Sequence, residues 1–189
     1  MSRLPQNAAE FGRLLRSRHS AIMERRPDKG PGAFKTRSNR VGETIFVAPD
    51  LVEGTLAQGY GLLRSLESAL QRAIFTMFLV AEVHPFADGN GRIARVMMNA
   101  ELVAADEQRI IIPTVYRNNY LAALRALTHG GEPEPLIRTL DHAQRWTNAI
   151  PWRTVEKTRR QLEACNAFFD PDSADRQGIR LQMPEGSSR

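Results

Sequence analysis

Pro85 stands between the two most apolar helical patterns of this chain, and no regular helix runs through it. Upstream, Leu70, Ala73, Ile74, Met77, Phe78 and Ala81 recur at the i, i+3, i+4 spacing of a helix with a broad buried face. Downstream, Ile93, Val96, Met97 and Ala100 resume that spacing to about Ala105. Proline disfavours the α conformation in the residue before it, so the first helix must end near His84. The chain is thereby committed to two core helices joined by a short turn of small residues.

The other elements are built around this pair. Ala8, Phe11, Leu14, Leu15 and Ile22 predict a helix over residues 7–26, with Pro27 as its stop. Lys29-Gly30-Pro31-Gly32 punctuates the chain, and Val41, Ile45, Phe46 and Val47 around Gly42 predict a short strand pair ending at Pro49. Residues 51–83 read as helical, first amphipathic around Leu62, Leu63 and Leu66, then more apolar. Further helices are predicted over 118–128, 135–146 and 154–169, and the polar sequence beyond Asp170 predicts a frayed or disordered tail. The expected fold class is all-α with one small β-hairpin. A main domain over residues 1–150 is followed by a helical extension and tail over 151–189.

Composition excludes several alternatives. At 42% hydrophobic and 25% charged residues the chain has the makeup of an ordinary globular domain. The nearly apolar run from Ala73 to Ala81 is about half a membrane span, and Arg3, Pro5 and Glu10 stand where a secretory signal needs apolar residues. A single cysteine, Cys165, forms neither an internal disulfide nor a thiolate metal cluster, so a reducing cytoplasm is the expected setting. Charge is concentrated in one stretch. Arg13, Arg16, Arg18, Arg25, Arg26, Lys29, Lys35, Arg37 and Arg40 face only Glu24 and Asp28. Such a stretch attracts nucleic acid, an acidic protein or a polyphosphate without choosing among them.

Residues 84–95, HPFADGNGRIAR, carry the candidate chemistry. The first turn of a helix leaves backbone N–H groups unpartnered, and Gly89 and Gly91 let a phosphate approach such donors without meeting a Cβ. Arg92 and Arg95, three residues apart, can grip one anion bidentately, which offsets the unfavourable placement of cations at a helix N-terminus. Asp88 beside bound phosphates suits Mg2+, which takes one or two carboxylates plus phosphate oxygens and water. His84, at the rim, is a candidate general base near neutral pH. No GxxxxGK[ST] and no strand-borne GxGxxG occurs, and His19, His129 and His142 have no zinc-ligand spacing.

This segment matches every defined position of the Fic family pattern HxFx(D/E)GNGRxxR, and the resemblance extends over about residues 10–148. Pro31-Gly32-Ala33-Phe34, Asn39, Val41-Gly42 and Pro49 resemble the family's segment before and through its substrate-docking flap. Pro113, Arg117 and Tyr120 through Leu124 resemble the helix that follows the active loop. The resemblance implies a helical Fic bundle with a β-hairpin flap and transfer of AMP from ATP to a Ser, Thr or Tyr hydroxyl of a target protein. It implies that His84 is the catalytic base and Phe86 a buried anchor. Asp88 would hold Mg2+, Gly89, Asn90, Gly91 and Arg92 would cradle phosphates, Arg95 would meet the terminal phosphate and Tyr120 would lie by the adenosine. The flap residues Val41, Gly42, Glu43, Thr44 and Ile45 would dock the target by strand addition.

Many relatives restrain themselves with a helix of pattern [ST]xxxE[GN]. Ser20 to Glu24 approaches it, but Arg25 replaces the Gly or Asn. A separate antitoxin-like protein is one expected source of the inhibitory glutamate. The rival expectation is a binding module in which the basic stretch grips nucleic acid and the loop is catalytically inert.

Overall fold

The computed structural model of the chain describes residues 3–184. They fall into two compact units, Met1–Glu107 and Gln108–Arg189. The first unit contains α1 (Ala8–Ile22), a hairpin of β1 (Arg40–Val41) and β2 (Thr44–Ile45), α2 (Val52–Leu63), α3 (Ala69–Val83) and α4 (Asn90–Ala104). The expected all-α bundle with a small antiparallel hairpin is what the chain forms.

Local chemistry sets the ends of these helices. Asn7 caps α1 by accepting the Glu10 N–H at 2.9 Å. The helix then stops at Ile22 instead of running on to Pro27, because Met23 turns inward and is fully buried. The helical region predicted over 51–83 is broken at residues 64–68, and α3 restarts from a reciprocal capping box between Ser68 and Gln71. In β1 and β2 Arg40 pairs with Ile45 and Val41 with Thr44, around a two-residue turn in which Gly42 has φ +58°.

The core of this unit lies between α3 and α4. Ala73, Met77 and Val80 face Ile93, Ala94, Met98 and Leu102, all buried, and α1 adds Phe11 and Leu15. Helix α2 approaches α3 closely only because residue 59 is glycine: a Cβ there would stand 2.3 Å from Cδ1 of Leu79.

The second unit contains α5 (Arg117–Gly130), α6 (Glu134–Ala149), α7 (Val155–Ala164) and α8 (Pro171–Gln177). Trp146 and Ile150 pack with Cys165 and Ala167, so one core joins residues on both sides of position 150, where the sequence had suggested a boundary. The polar stretch beyond Asp170 is also more structured than its composition predicts. Asp170 caps α8 through the Ser173 N–H, the Asn118 amide donates to Asp172 and Asp175, and the Trp146 indole donates to the Gln182 carbonyl. The end of the predicted tail, residues 185–189, lies outside the described residues. No helix among the described residues is long and apolar enough to cross a membrane.

Candidate active site

Residues 84–95 join α3 to α4, and two buried clamps hold the turn. The first is Asn90. Its Oδ1 accepts the Phe86 N–H at 2.9 Å and its Nδ2 donates to the Phe86 carbonyl at 2.8 Å. Both ends of this buried amide are therefore engaged by the loop backbone. Sequence reasoning counted it among the cradle groups.

The second clamp is His19, fully buried on α1. Gly32 N–H donates to His19 Nδ1 at 3.0 Å, so the ring proton is on Nε2, which donates to the Asp88 carbonyl at 3.0 Å. The imidazole stacks on Phe86, which is buried and also touches Phe34. Phe86 is thus the anchor that the loop pattern implies. Gly89, at φ +79°, fits against the same helix. A Cβ there would lie 2.9 Å from Met23 Sδ and 3.1 Å from His19 Nε2. The missing side chain at Gly89 lets the loop pack against His19 of α1 and against Met23, which follows that helix. Gly91 is different: it is exposed, and the nearest atom to an added Cβ is Arg95 Nη1 at 3.5 Å.

His84 adopts the left-handed conformation, φ 49°, that ends α3. Its Nδ1 lies 3.1 Å from the Ala81 carbonyl. A carbonyl only accepts, so Nδ1 carries the proton and Nε2 is left as the basic nitrogen. One face of the ring is covered by Phe46, with centroids 3.8 Å apart and planes within 12°. Burial pushes the His84 pKa down, the Ala81 carbonyl partly restores it, and the Lys35 ammonium adds a smaller downward push. The imidazole is thereby biased towards its neutral, proton-accepting form.

Lys35 and Asn39 complete the support. The buried Lys35 ammonium donates to the Val83 carbonyl at 3.2 Å and to Asn39 Oδ1 at 2.7 Å. It lies at the C-terminal end of α3, where the backbone dipoles favour a cation. Asn39 Nδ2 donates to the Phe86 carbonyl at 3.0 Å and the His84 carbonyl at 3.4 Å. Sequence reasoning counted Lys35 as surface charge and gave Asn39 no site role. Arg18, from the same basic stretch, is buried too, with its guanidinium on Met97 Sδ and the Arg3 carbonyl.

No side chain caps α4, whose N-cap is Gly89, so its first-turn N–H groups are not taken by a capping side chain. Asp88 Oδ1 accepts the Gly89 N–H at 2.6 Å and lies 3.6 Å from Arg92 Nη2. The Asp88 and Arg92 side chains are 40% and 48% exposed. An uncapped helix start, a carboxylate and two arginines thus stand directly after the histidine. Tyr120 is buried on α5 in the second unit, and Val41, Gly42, Glu43 and Ile45 are exposed on the hairpin with Thr44 half-buried.

Comparison with known proteins finds Fic sequences and Fic folds. The sequence model of the Fic/DOC family matches residues 13–102. The chain is 28% identical over 130 residues to the protein adenylyltransferase Fic of Culex quinquefasciatus, covering 66% of this chain and 26% of that protein. It is 31% identical over 111 residues to the protein adenylyltransferase fic-1 of Caenorhabditis briggsae, covering 57% of this chain and 22% of that one. The chain therefore spans about a quarter of the length of these curated relatives. Among solved structures, residues 134–508 of Fic-1 from Caenorhabditis elegans match with a TM-score of 0.61 at 21% identity, over 82% of this chain and 44% of that one. The BepC protein of Bartonella tribocorum, solved with bound AMPPNP, matches with a TM-score of 0.61 at 18% identity, over 74% of this chain and 75% of that one. The loop pattern is complete, the Fic/DOC family model matches the segment that contains it, and the solved Fic structures share the fold of this chain.

Proposed function

We propose that the chain is a protein adenylyltransferase that moves AMP from ATP to a Ser, Thr or Tyr hydroxyl of a target protein. The observation behind this is the order of groups along one turn: a histidine whose Nδ1 is tied to the Ala81 carbonyl, then a carboxylate, then an uncapped helix start flanked by Arg92 and Arg95. Relatives named as adenylyltransferases add to it.

In this reading the N–H groups at the start of α4, with Arg92 and Arg95, hold the ATP phosphates and neutralise charge as it spreads in the transition state. His84 Nε2 accepts the proton of the target hydroxyl as that oxygen attacks the α-phosphorus. The bond from the α-phosphorus to the bridging oxygen breaks, pyrophosphate leaves, and the proton held on Nε2 is later released to solvent. Asp88 fits a Mg2+ ion: its Oδ1 is engaged by Gly89, and its half-exposed carboxylate has a second oxygen to offer. Bound there, the ion would supply charge neutralisation of the phosphates.

The hairpin is the target dock in this reading. Val41 and Ile45 are 64% and 76% exposed, in keeping with a surface meant to be covered by another chain. A separate antitoxin-like protein is one proposed source of the inhibitory glutamate; the nearest internal match to the inhibitory pattern, Ser20 to Glu24, belongs to the end of core helix α1 and the turn after it.

Incubation with α-labelled ATP, Mg2+ and a cell lysate tests the proposal. Labelled protein bands that vanish with His84→Ala are expected, and label arriving only from γ-labelled ATP overturns it in favour of phosphate transfer. Growth arrest on expression, relieved by His84→Ala, tests a toxin-like role. The nucleic-acid reading is weakened by the burial of Arg18 and Lys35, which removes two cations from the basic surface. Salt-dependent DNA binding without any labelling would favour it.

A further inference from the structure

We propose that Phe46 is a positioning residue for the base: its ring, at the foot of the flap, fixes the plane of the His84 imidazole, so that seating the flap and aiming Nε2 are one event. The proposal rests on the transferase reading above for its meaning, but not for its test.

The hairpin cannot hold itself. Each strand has two residues, and isolated hairpins even longer than this are marginal in water. Its outer apolar side chains, Val41 and Ile45, are mostly exposed, so the main hold on its orientation comes from its two roots. One root is Asn39, directly before β1, whose amide holds the carbonyls of Phe86 and His84 and is itself held by the buried Lys35 ammonium. The other is Phe46, directly after β2, whose N–H donates to the Asn39 carbonyl at 3.3 Å and whose ring lies on the imidazole. Both roots therefore bear on residues 83–86, one through the backbone and one through the base itself.

The stack supplies what the hydrogen bond does not. The Ala81 carbonyl fixes which nitrogen carries the proton. A single hydrogen bond still leaves the ring free to rock about its χ2 torsion, and the aromatic face removes that freedom. A target segment paired to the hairpin edge would stiffen the flap and, through Phe46, the ring. The same contact keeps water from one face of the imidazole, consistent with the depressed pKa of His84. Charged residues stand on each element next to His84 in the chain or through the flap: Lys35 before the flap, Arg40 and Glu43 on it, Glu82 on α3, and Asp88, Arg92 and Arg95 in the loop and the start of α4. Lys35 is the one whose charge bears on the ring.

The test is an NMR titration of the His84 ring in the full chain, without ATP or target, for the parent protein, Phe46→Ala and Phe46→Tyr. In the Ala variant the midpoint is expected to rise towards the ordinary histidine value of about 6.5, while Tyr, which keeps the ring, holds the parent value. In the labelling assay, Phe46→Ala is expected to lower kcat roughly ten- to hundredfold at unchanged KM for ATP. An unchanged His84 titration in Phe46→Ala overturns the proposal, and so does a Tyr variant that titrates like the Ala one. Should Phe46→Ala fail to fold, Phe46→Val, a smaller side chain that leaves most of the imidazole face uncovered, carries the same expectation and the same refutation. A parent protein that labels nothing refutes the transferase reading alone, because the titration is read independently of activity.

Discussion

The imidazole of His19 lies flat on the ring of Phe86, with centroids 3.6 Å apart and planes within 3°. From that position it accepts from the Gly32 N–H and donates to the Asp88 carbonyl, joining α1, the segment before the flap and the active loop through one neutral ring. A second proton would have to go onto Nδ1, where the Gly32 N–H already points. Burial is the main reason its pKa is depressed, with the Asp88 carbonyl acting against it and the Arg92 charge acting with it.

This geometry makes stability depend on pH. A histidine that binds its proton less readily when folded favours the unfolded chain once that chain becomes protonated. The contribution is therefore whole above the ordinary pKa of about 6.5 and is lost as pH falls below it towards the folded value. Urea midpoints are expected to fall between pH 7.5 and 5.5, and His19→Gln, which cannot titrate, is expected to flatten that difference. His19→Ala is expected to cost about 2–4 kcal/mol, from a cavity and two deserted backbone groups. An equal pH dependence in the Gln variant would show that His19 is not the group responsible.

Two glycines of the same loop are expected to behave oppositely. Gly89→Ala forces a Cβ into Met23 and His19 at a left-handed backbone, and should cost about 1–3 kcal/mol. Gly91→Ala meets nothing nearer than 3.5 Å and leaves the urea midpoint where it is, within about 1 kcal/mol. Yet it sets a methyl group over the helix start, so calorimetric ATP affinity should fall at least tenfold. Loss of ATP binding in a folded Gly89 variant alone would assign the phosphate approach to the wrong glycine.

Ile45 gives a third separation. At 76% exposure it supports nothing in the fold, so Ile45→Lys should change stability by no more than about 0.5 kcal/mol. Labelling of lysate proteins is expected to drop while ATP affinity holds. A parent-like band pattern would remove the hairpin's outer face from target docking.

The sequence disclosed these elements unevenly, for physical reasons. Pro85 and the apolar spacing on either side of it gave α3, the turn and α4, because backbone sterics and periodicity are local. The roles inside the turn were not local. Nothing in the sequence near Asn90 says that its amide will close on Phe86, or that Gly89 faces Met23 from sixty-six positions earlier. Lys35 and Arg18 look like every other cation of their stretch until the fold buries them. The Ser68–Gln71 capping box was readable as a helix start and would have divided residues 51–83 correctly. The structured tail was hidden because Trp146 and Cys165 become neighbours only in three dimensions.

Asp88 caps the turn and, in the proposed reaction, holds the metal ion, and one substitution separates the two roles. Its Oδ1 accepts the Gly89 N–H, a task for which an amide oxygen serves as well, whereas holding a metal ion beside phosphates needs the charge. The Arg92 contact, at 3.6 Å and half-exposed, adds at most about 1 kcal/mol. Asp88→Asn should therefore fold with a urea midpoint close to the parent's, while Asp88→Ala, which also abandons the Gly89 N–H, should fall below both. ATP titrations with Mg2+ and with EDTA are expected to differ in the parent protein and to coincide in Asp88→Asn. If the Asn variant still binds ATP more tightly with Mg2+, the metal is held by other groups and the carboxylate is only a cap for the turn.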